Sequence, residues 1–292
     1  GLSLSGERHA IMRSSFTGGG AAGGYSAINV SASSWSSISD SYANGQSANA
    51  LTLADVKHYT VTRSTFVSYN GAGAIYAQSS SSNTFSLIMA SNTVTLGIYF
   101  YLSDYNQVTQ STISAGGIGF YFYTSSANLF ADNYLESRAG HGLHFFDRAD
   151  ANIVRNSTVV ALGSNGLHIS QSSTNTFVDM RVVVTDAQGY FDNAGSAGNS
   201  LVRSTVVVSG SGSAAYIYAS TGSRLVDSYF QSPGGLTVRY ATATFIGGSS
   251  LVTTSAGSDA IFLSEGGVGL SIASSTLRGG SAARGLFLDI GN

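Results

Sequence analysis

Six asparagines, Asn83, Asn106, Asn128, Asn152, Asn175 and Asn199, follow one another at intervals of 23, 22, 24, 23 and 24 residues. A period in the twenties is the mark of a chain that stacks one supersecondary unit on the next, so the repeat has to be read before anything else. The unit is clearest from Asn152 to Asn175. Asn152-Ile153-Val154 leads to Val159-Val160, then to Gly166-Leu167-His168-Ile169, and a polar loop closes on Asn175. One unit later Thr176-Phe177-Val178, Val182-Val183-Val184 and Gly189-Tyr190-Phe191 fall into the same register.

Three columns of short apolar runs recur along the chain. The first is a small residue followed by apolar-x-apolar, as in Ala50-Leu51-Thr52-Leu53, Gly142-Leu143-His144-Phe145 and Gly285-Leu286-Phe287-Leu288. Gly117-Ile118-Gly119-Phe120 is placed in it by the same pattern. The second follows a polar turn, with Val61, Phe85, Val108, Phe130, Val154 and Phe177 among its members. The third comes about five residues later and includes Phe66, Ile113, Leu135, Val159 and Val182. Period-2 alternation makes each run a strand with one face inward. Strands this short can satisfy their backbone groups only by pairing with their equivalents one unit away. The expected fold is all-β: a single parallel β-helix of about twelve rungs, each of about 20–27 residues and three short strands. At about 4.8 Å per rung it is a rod roughly 55–60 Å long.

The Asn column is expected to be structural. Asn tolerates left-handed backbone angles and its amide can bond to the same amide one rung away, so it makes a corner and ties rungs together. The glycines before the first-column strands are expected to mark tight corners as well.

The quoted motifs, Asn175-Thr176-Phe177 and Gly166-Leu167-His168-Ile169 among them, resemble the right-handed parallel β-helix repeats of the pectate-lyase-like superfamily. The resemblance runs over nearly the whole chain and implies the right-handed sense, which parallel crossovers also prefer. It implies no single activity, because the superfamily includes polysaccharide lyases, hydrolases, epimerases, phage tailspikes and adhesins.

Composition excludes several partners. The net charge is -2 and Lys57 is the only lysine, so no basic stripe is present to neutralise phosphates. No apolar run approaches the roughly 18–20 residues that cross a bilayer. Near-absence of Lys with abundant Ser, Thr, Gly and Tyr suits a secreted or cell-surface protein.

Two outward columns carry the chemistry. One reads Arg13, Asp40, Arg63, Leu87, Gln110, Asp132, Asn156, Asp179, Arg203 and Asp227. Its best-registered part, Asp179-Arg203-Asp227, is expected to form an alternating ion-pair ladder; an acidic catalytic pair drawn from Asp132, Asp179 and Asp227 is the other reading. The second column runs on the third strand of the unit: Tyr76, Tyr99, Gly119 flanked by Tyr121 and Tyr123, His144, His168, Phe191, Ile217 flanked by Tyr216 and Tyr218, Thr237, Phe262 and Phe287. Tyr76, Tyr99, Tyr121, His144, His168 and Phe191 are therefore the candidates for self-association or ligand binding, either as a contact surface for another rod or as a sugar-stacking platform.

No cofactor, metal or catalytic residue is assigned, and the rung intervals leave no insertion long enough to wall a cleft. The expected role is an extracellular structural or adhesive rod, partnered by itself, by adjoining repeats of a longer chain with uncapped ends, or by glycan. The alternative is a polysaccharide-binding or polysaccharide-degrading enzyme, with His144, His168, Asp147 and Tyr121 as its residues.

Overall fold

The structure is a computed structural model that describes residues 1–18 and 24–289. Its strands form three parallel sheets. The first has 13 strands, from Leu2–Glu7 to Leu286–Asp289; the second has 12, from Ala10–Met12 to Ser271–Ala273; the third has 12, from Ser15–Thr17 to Thr276–Arg278. Every third strand in sequence pairs with its predecessor, so the chain winds once round per unit. The parallel solenoid of about twelve turns expected from the repeat is the fold observed.

Alternation sets the core. In Leu167–Ser170, Leu167 and Ile169 are fully buried while His168 is half-buried and faces out. In the second and third sheets Phe177 and Val182 point inward in the same way. The first sheet pairs Tyr99 with Tyr121, Tyr121 with His144, His144 with His168, His168 with Phe191 and Phe191 with Tyr216. Two positions differ from the sequence reading. Phe120–Tyr123 is the strand of its rung, so Tyr121 and not Gly119 stands in the outward column. Tyr216 likewise stands there, and Ile217 is buried in the core.

The corners also differ from expectation. The residue before each ladder asparagine takes the left-handed conformation, as in Ser82 (φ 59°), Tyr105 (φ 58°), Ala127 (φ 55°), Ala151 (φ 54°) and Thr174 (φ 56°). The asparagines themselves are buried and use their amides between rungs. Asn83, Asn106, Asn128, Asn152 and Asn175 each donate the backbone N–H to the Oδ1 of the next asparagine, at 2.8–2.9 Å, ending on Asn199. The charged column is a second left-handed corner, from Arg13 (φ 47°) through Leu87 (φ 54°) and Asp179 (φ 55°) to Asp227 (φ 49°). Just after it a serine column repeats the device, with Ser41, Ser204 and Ser228 donating N–H to the hydroxyl one rung on at 3.0–3.1 Å. The glycine column is set by packing. A Cβ on Gly142 would meet Val159 Cγ1 at 2.2 Å and the Gly166 carbonyl oxygen at 2.6 Å.

Candidate functional site

The outer face of the first sheet carries a column of stacked rings. From Tyr76 the ring centroids step to Tyr99 (5.2 Å), Tyr121 (5.0 Å), His144 (4.7 Å), His168 (4.5 Å), Phe191 (5.0 Å) and Tyr216 (5.3 Å). All six candidates named from sequence stand in this one column. A second, shorter column lies beside it, from Tyr101 to Tyr123 (5.3 Å) to Phe146 (5.5 Å). From Tyr99 to Tyr216 successive rings of the main column lie within 13° of parallel. Each ring therefore has its faces covered by its neighbours and turns an edge to solvent. A continuous sugar-stacking platform needs exposed faces, and the faces of this column are taken up by one another.

Three histidines meet in the middle of it. His141, which was not among the candidates selected from sequence, packs edge-on against His144 (4.8 Å) and His168 (4.3 Å). Its Nε2 lies 2.9 Å from His168 Nδ1, and its Nδ1 lies 2.9 Å from the Ser164 hydroxyl. The result is a relay from Ser164 through His141 to His168. Both nitrogens of His144 and Nε2 of His168 are buried with no hydrogen-bond partner in the protein. Burial, reinforced by the neighbouring imidazoles, pushes His144 down to about 2 and His168 to about 3; burial alone takes His141 to about 4. All three are neutral at pH 7. Burial first, then Tyr123 and Asp147, pushes the Tyr121 phenol up to about 12, so it stays protonated.

The three imidazoles bring one ligand atom each within 4.8 Å of one another, the spacing of a metal-binding cluster. The geometry fits a metal poorly. His144 and His168 are stacked 5° from parallel, so their in-plane lone pairs run side by side and do not converge, and His141 Nε2 is already engaged with His168.

Asp147 sits at the rim, 3.4 Å from Arg148 and 3.4 Å from the Thr124 hydroxyl, and does not join the histidines. The charged column lies on the distant corner between the second and third sheets. Arg203 makes a two-pronged pair with Asp179, and Arg63 with Asp40, while Asp132 accepts from the Asn156 amide. Asp227 is next in the column but has no ion pair among the described residues. The column is thus a set of separate pairs, with Asn156 between Asp132 and Asp179 and Arg203 between Asp179 and Asp227.

The right handed beta helix region profile matches residues 26–182, more than half of the chain. The chain belongs to the right-handed β-helix family. This β-helix is also similar to several solved structures. The Azotobacter vinelandii mannuronan C-5 epimerase AlgE4 A-module shares 12% identity over 91% of this chain and 83% of that one, with a TM-score of 0.66. The periplasmic alginate epimerase AlgG, solved as a double mutant, shares 11% over 94% and 70%, with a TM-score of 0.57. An alginate lyase from Paenibacillus sp. str. FPU-7 shares 12% over 86% and 93%, with a TM-score of 0.50. At these identities the likeness is one of fold. No curated protein sequence matches the β-helix. Among its described residues no helix is long and apolar enough to cross a membrane.

Proposed function

We propose that this β-helix acts on a polysaccharide laid along the outer face of the first sheet, with proton transfer at His141, His144 and His168. The observation that carries this reading is the cluster of imidazoles held neutral in the middle of the ring column, with ring nitrogens of His144 and His168 unpartnered. Removing the sugar-ring proton next to a uronate carboxylate opens both an elimination and an epimerisation. It needs a base that is unprotonated at the working pH yet able to hold the proton, and the negative charge of a bound uronate beside the imidazoles raises their basicity in the complex. The Tyr121 phenol, stacked on His144 at 4.7 Å, is the matching acid one rung away. Epimerases and a lyase named for mannuronan or alginate share the fold, which supports a polyuronate over a neutral glycan. A periplasmic relative supports an exported protein.

Hydrolysis by two facing carboxylates is less well supported. It needs acids about 5–10 Å apart across the scissile bond. On this face Asp147 is paired with Arg148, and Glu265 with Arg239.

The test is incubation with polymannuronate, polyguluronate, polygalacturonate and a neutral β-glucan in deuterated water. NMR reads deuterium uptake and inversion at the ring carbon, and ultraviolet absorbance reads the unsaturated elimination product. Turnover of a uronate polymer, lost in His144→Phe and His168→Phe, is the expected result. Failure to bind or convert any of the four, with filaments appearing in electron microscopy as concentration rises, would overturn it in favour of the rod role.

A further inference from the structure

The ring column has one interruption. Register carries it from Tyr216 to Thr237, then to Phe262 and Phe287, so a methyl-bearing hydroxyl stands where a ring would complete the stack. Phe262 and Phe287 resume it at 5.3 Å. Everywhere else between Tyr76 and Phe287, among the described residues, each ring is covered by the next. At Thr237 no ring stands between Tyr216 and Phe262.

A cavity of about 350 Å³ opens there, lined by Tyr216, Thr237, Phe262, Arg239, Glu265 and Gln188. Two rungs separate its ring walls, about 9.6 Å at ~4.8 Å per step. A six-membered ring midway between them would lie at the same distance from each wall as the rings of the column lie from one another. The rim is polar: Arg239 is ion-paired with Glu265, and Ser213 and Ser264 complete the lining. That rim suits a hydroxylated ring over a purely aromatic one.

We infer that one pyranose ring of a bound polysaccharide lodges between Tyr216 and Phe262 above Thr237, as a binding subsite three rungs from His168. The inference rests on the carbohydrate reading above. A pyranose stacked on both walls carries its equatorial 1,4 bonds near the plane of its own ring, across the column, so the slot takes a chain end or a chain that crosses this face. The faces of Tyr216 and Phe262 give it apolar contact, and Arg239, Glu265 and Gln188 meet its hydroxyls or carboxylate.

The experiment is calorimetric titration of wild type, Thr237→Tyr, Thr237→Val and Phe262→Leu with mannuronate oligosaccharides and cello-oligosaccharides of defined length. Thr237→Tyr continues the stack and fills the slot, so it keeps the fold while closing the site. About a tenfold loss of affinity is expected in Thr237→Tyr and again in Phe262→Leu, which removes one wall, and affinity is retained in Thr237→Val, which leaves the slot open. If wild type binds either series and Thr237→Tyr and Phe262→Leu bind equally well, the slot is wrong while the carbohydrate reading stands. If wild type binds neither series, both fall together.

Discussion

The Ser223 hydroxyl donates a 2.6 Å hydrogen bond to Asp192 Oδ2 inside the solenoid, at a position whose neighbours in register are the core residues Ile169 and Ile217. Asn199 Nδ2 (3.1 Å) and the Tyr190 hydroxyl (3.3 Å) also donate to the carboxylate. Burial outweighs these donors and pushes Asp192 up to about 6. The folded chain therefore binds this proton more tightly than the unfolded one, and stability falls as pH rises from about 4 to 6. Asp192→Asn removes the charge and keeps the shape. It should be more stable than wild type at pH 7–8 by up to about 3 kcal/mol, with the gain vanishing near pH 4. Urea midpoints across that range check it; a gain that does not change with pH would exclude titration of Asp192 as the cause.

Asn152 ties three rungs together. Its Oδ1 accepts from Asn128 N–H (2.9 Å) and Asn128 Nδ2 (3.0 Å), while its own Nδ2 donates to Asn175 Oδ1 (3.1 Å) and the Ser125 carbonyl (3.0 Å). Asn152→Ala leaves two buried donors of Asn128 without an acceptor and opens a small void. A loss of about 3–5 kcal/mol is expected, since each unsatisfied buried group costs about 1–3 kcal/mol. Arg155→Ala, on the exposed face of a strand in the same rung, is the control and should change the urea midpoint little.

Most of the fold was legible because every rung spends residues on the same three tasks. Leu167, Val154 and Val159 fill the core, Asn152 ties rungs, and the step back to the next asparagine is nearly constant. Register failed where the pattern was ambiguous: Gly119-Phe120-Tyr121-Phe122 offers apolar alternation in two frames, and only the packing of Gly119 under the Leu135 side chain selects one. The ring column was visible, but its edge-on stacking was not, because sequence spacing does not report the plane of a ring. His141 was not selected, and Thr237 was placed in the column without being singled out, for related reasons. One lies in a loop outside the strand alternation, and the other matters because it lacks a ring.

Leu87 holds a left-handed backbone (φ 54°) in the corner column and is half-exposed. At this column other rungs use Asp40, Asp132, Asn156, Asp179 and Gly248, residue types that tolerate this conformation. Leu87→Asn should raise stability by about 0.5–1 kcal/mol by relieving backbone strain. Chemical denaturation checks it. Leu102 shares the conformation (φ 51°) at a different corner, and Leu102→Asn should behave alike if the backbone is the cause.

The histidine cluster titrates with the opposite sign to Asp192. Burial holds His141, His144 and His168 at about 4, 2 and 3, so an unfolded chain takes up protons below its ordinary value of about 6.5 that the folded chain refuses. Their contribution is whole above about pH 6.5 and drains away as pH falls toward 4, by up to about 1.4 kcal/mol per pH unit for each group. His144→Phe continues the ring stack with a group that does not titrate, so it should unfold less steeply with acid while matching the wild-type fold at pH 8. The same variant should lose turnover of a uronate polymer by at least about a hundredfold, the usual share of a general base or acid. In wild type the acid limb of the kcat/KM profile should lie below pH 5, because the bases stay unprotonated through the range where a free imidazole would already be charged. An acid limb near 6.5 would mean that the imidazole doing the work is exposed in the free protein, and that a base outside the stack has to be sought.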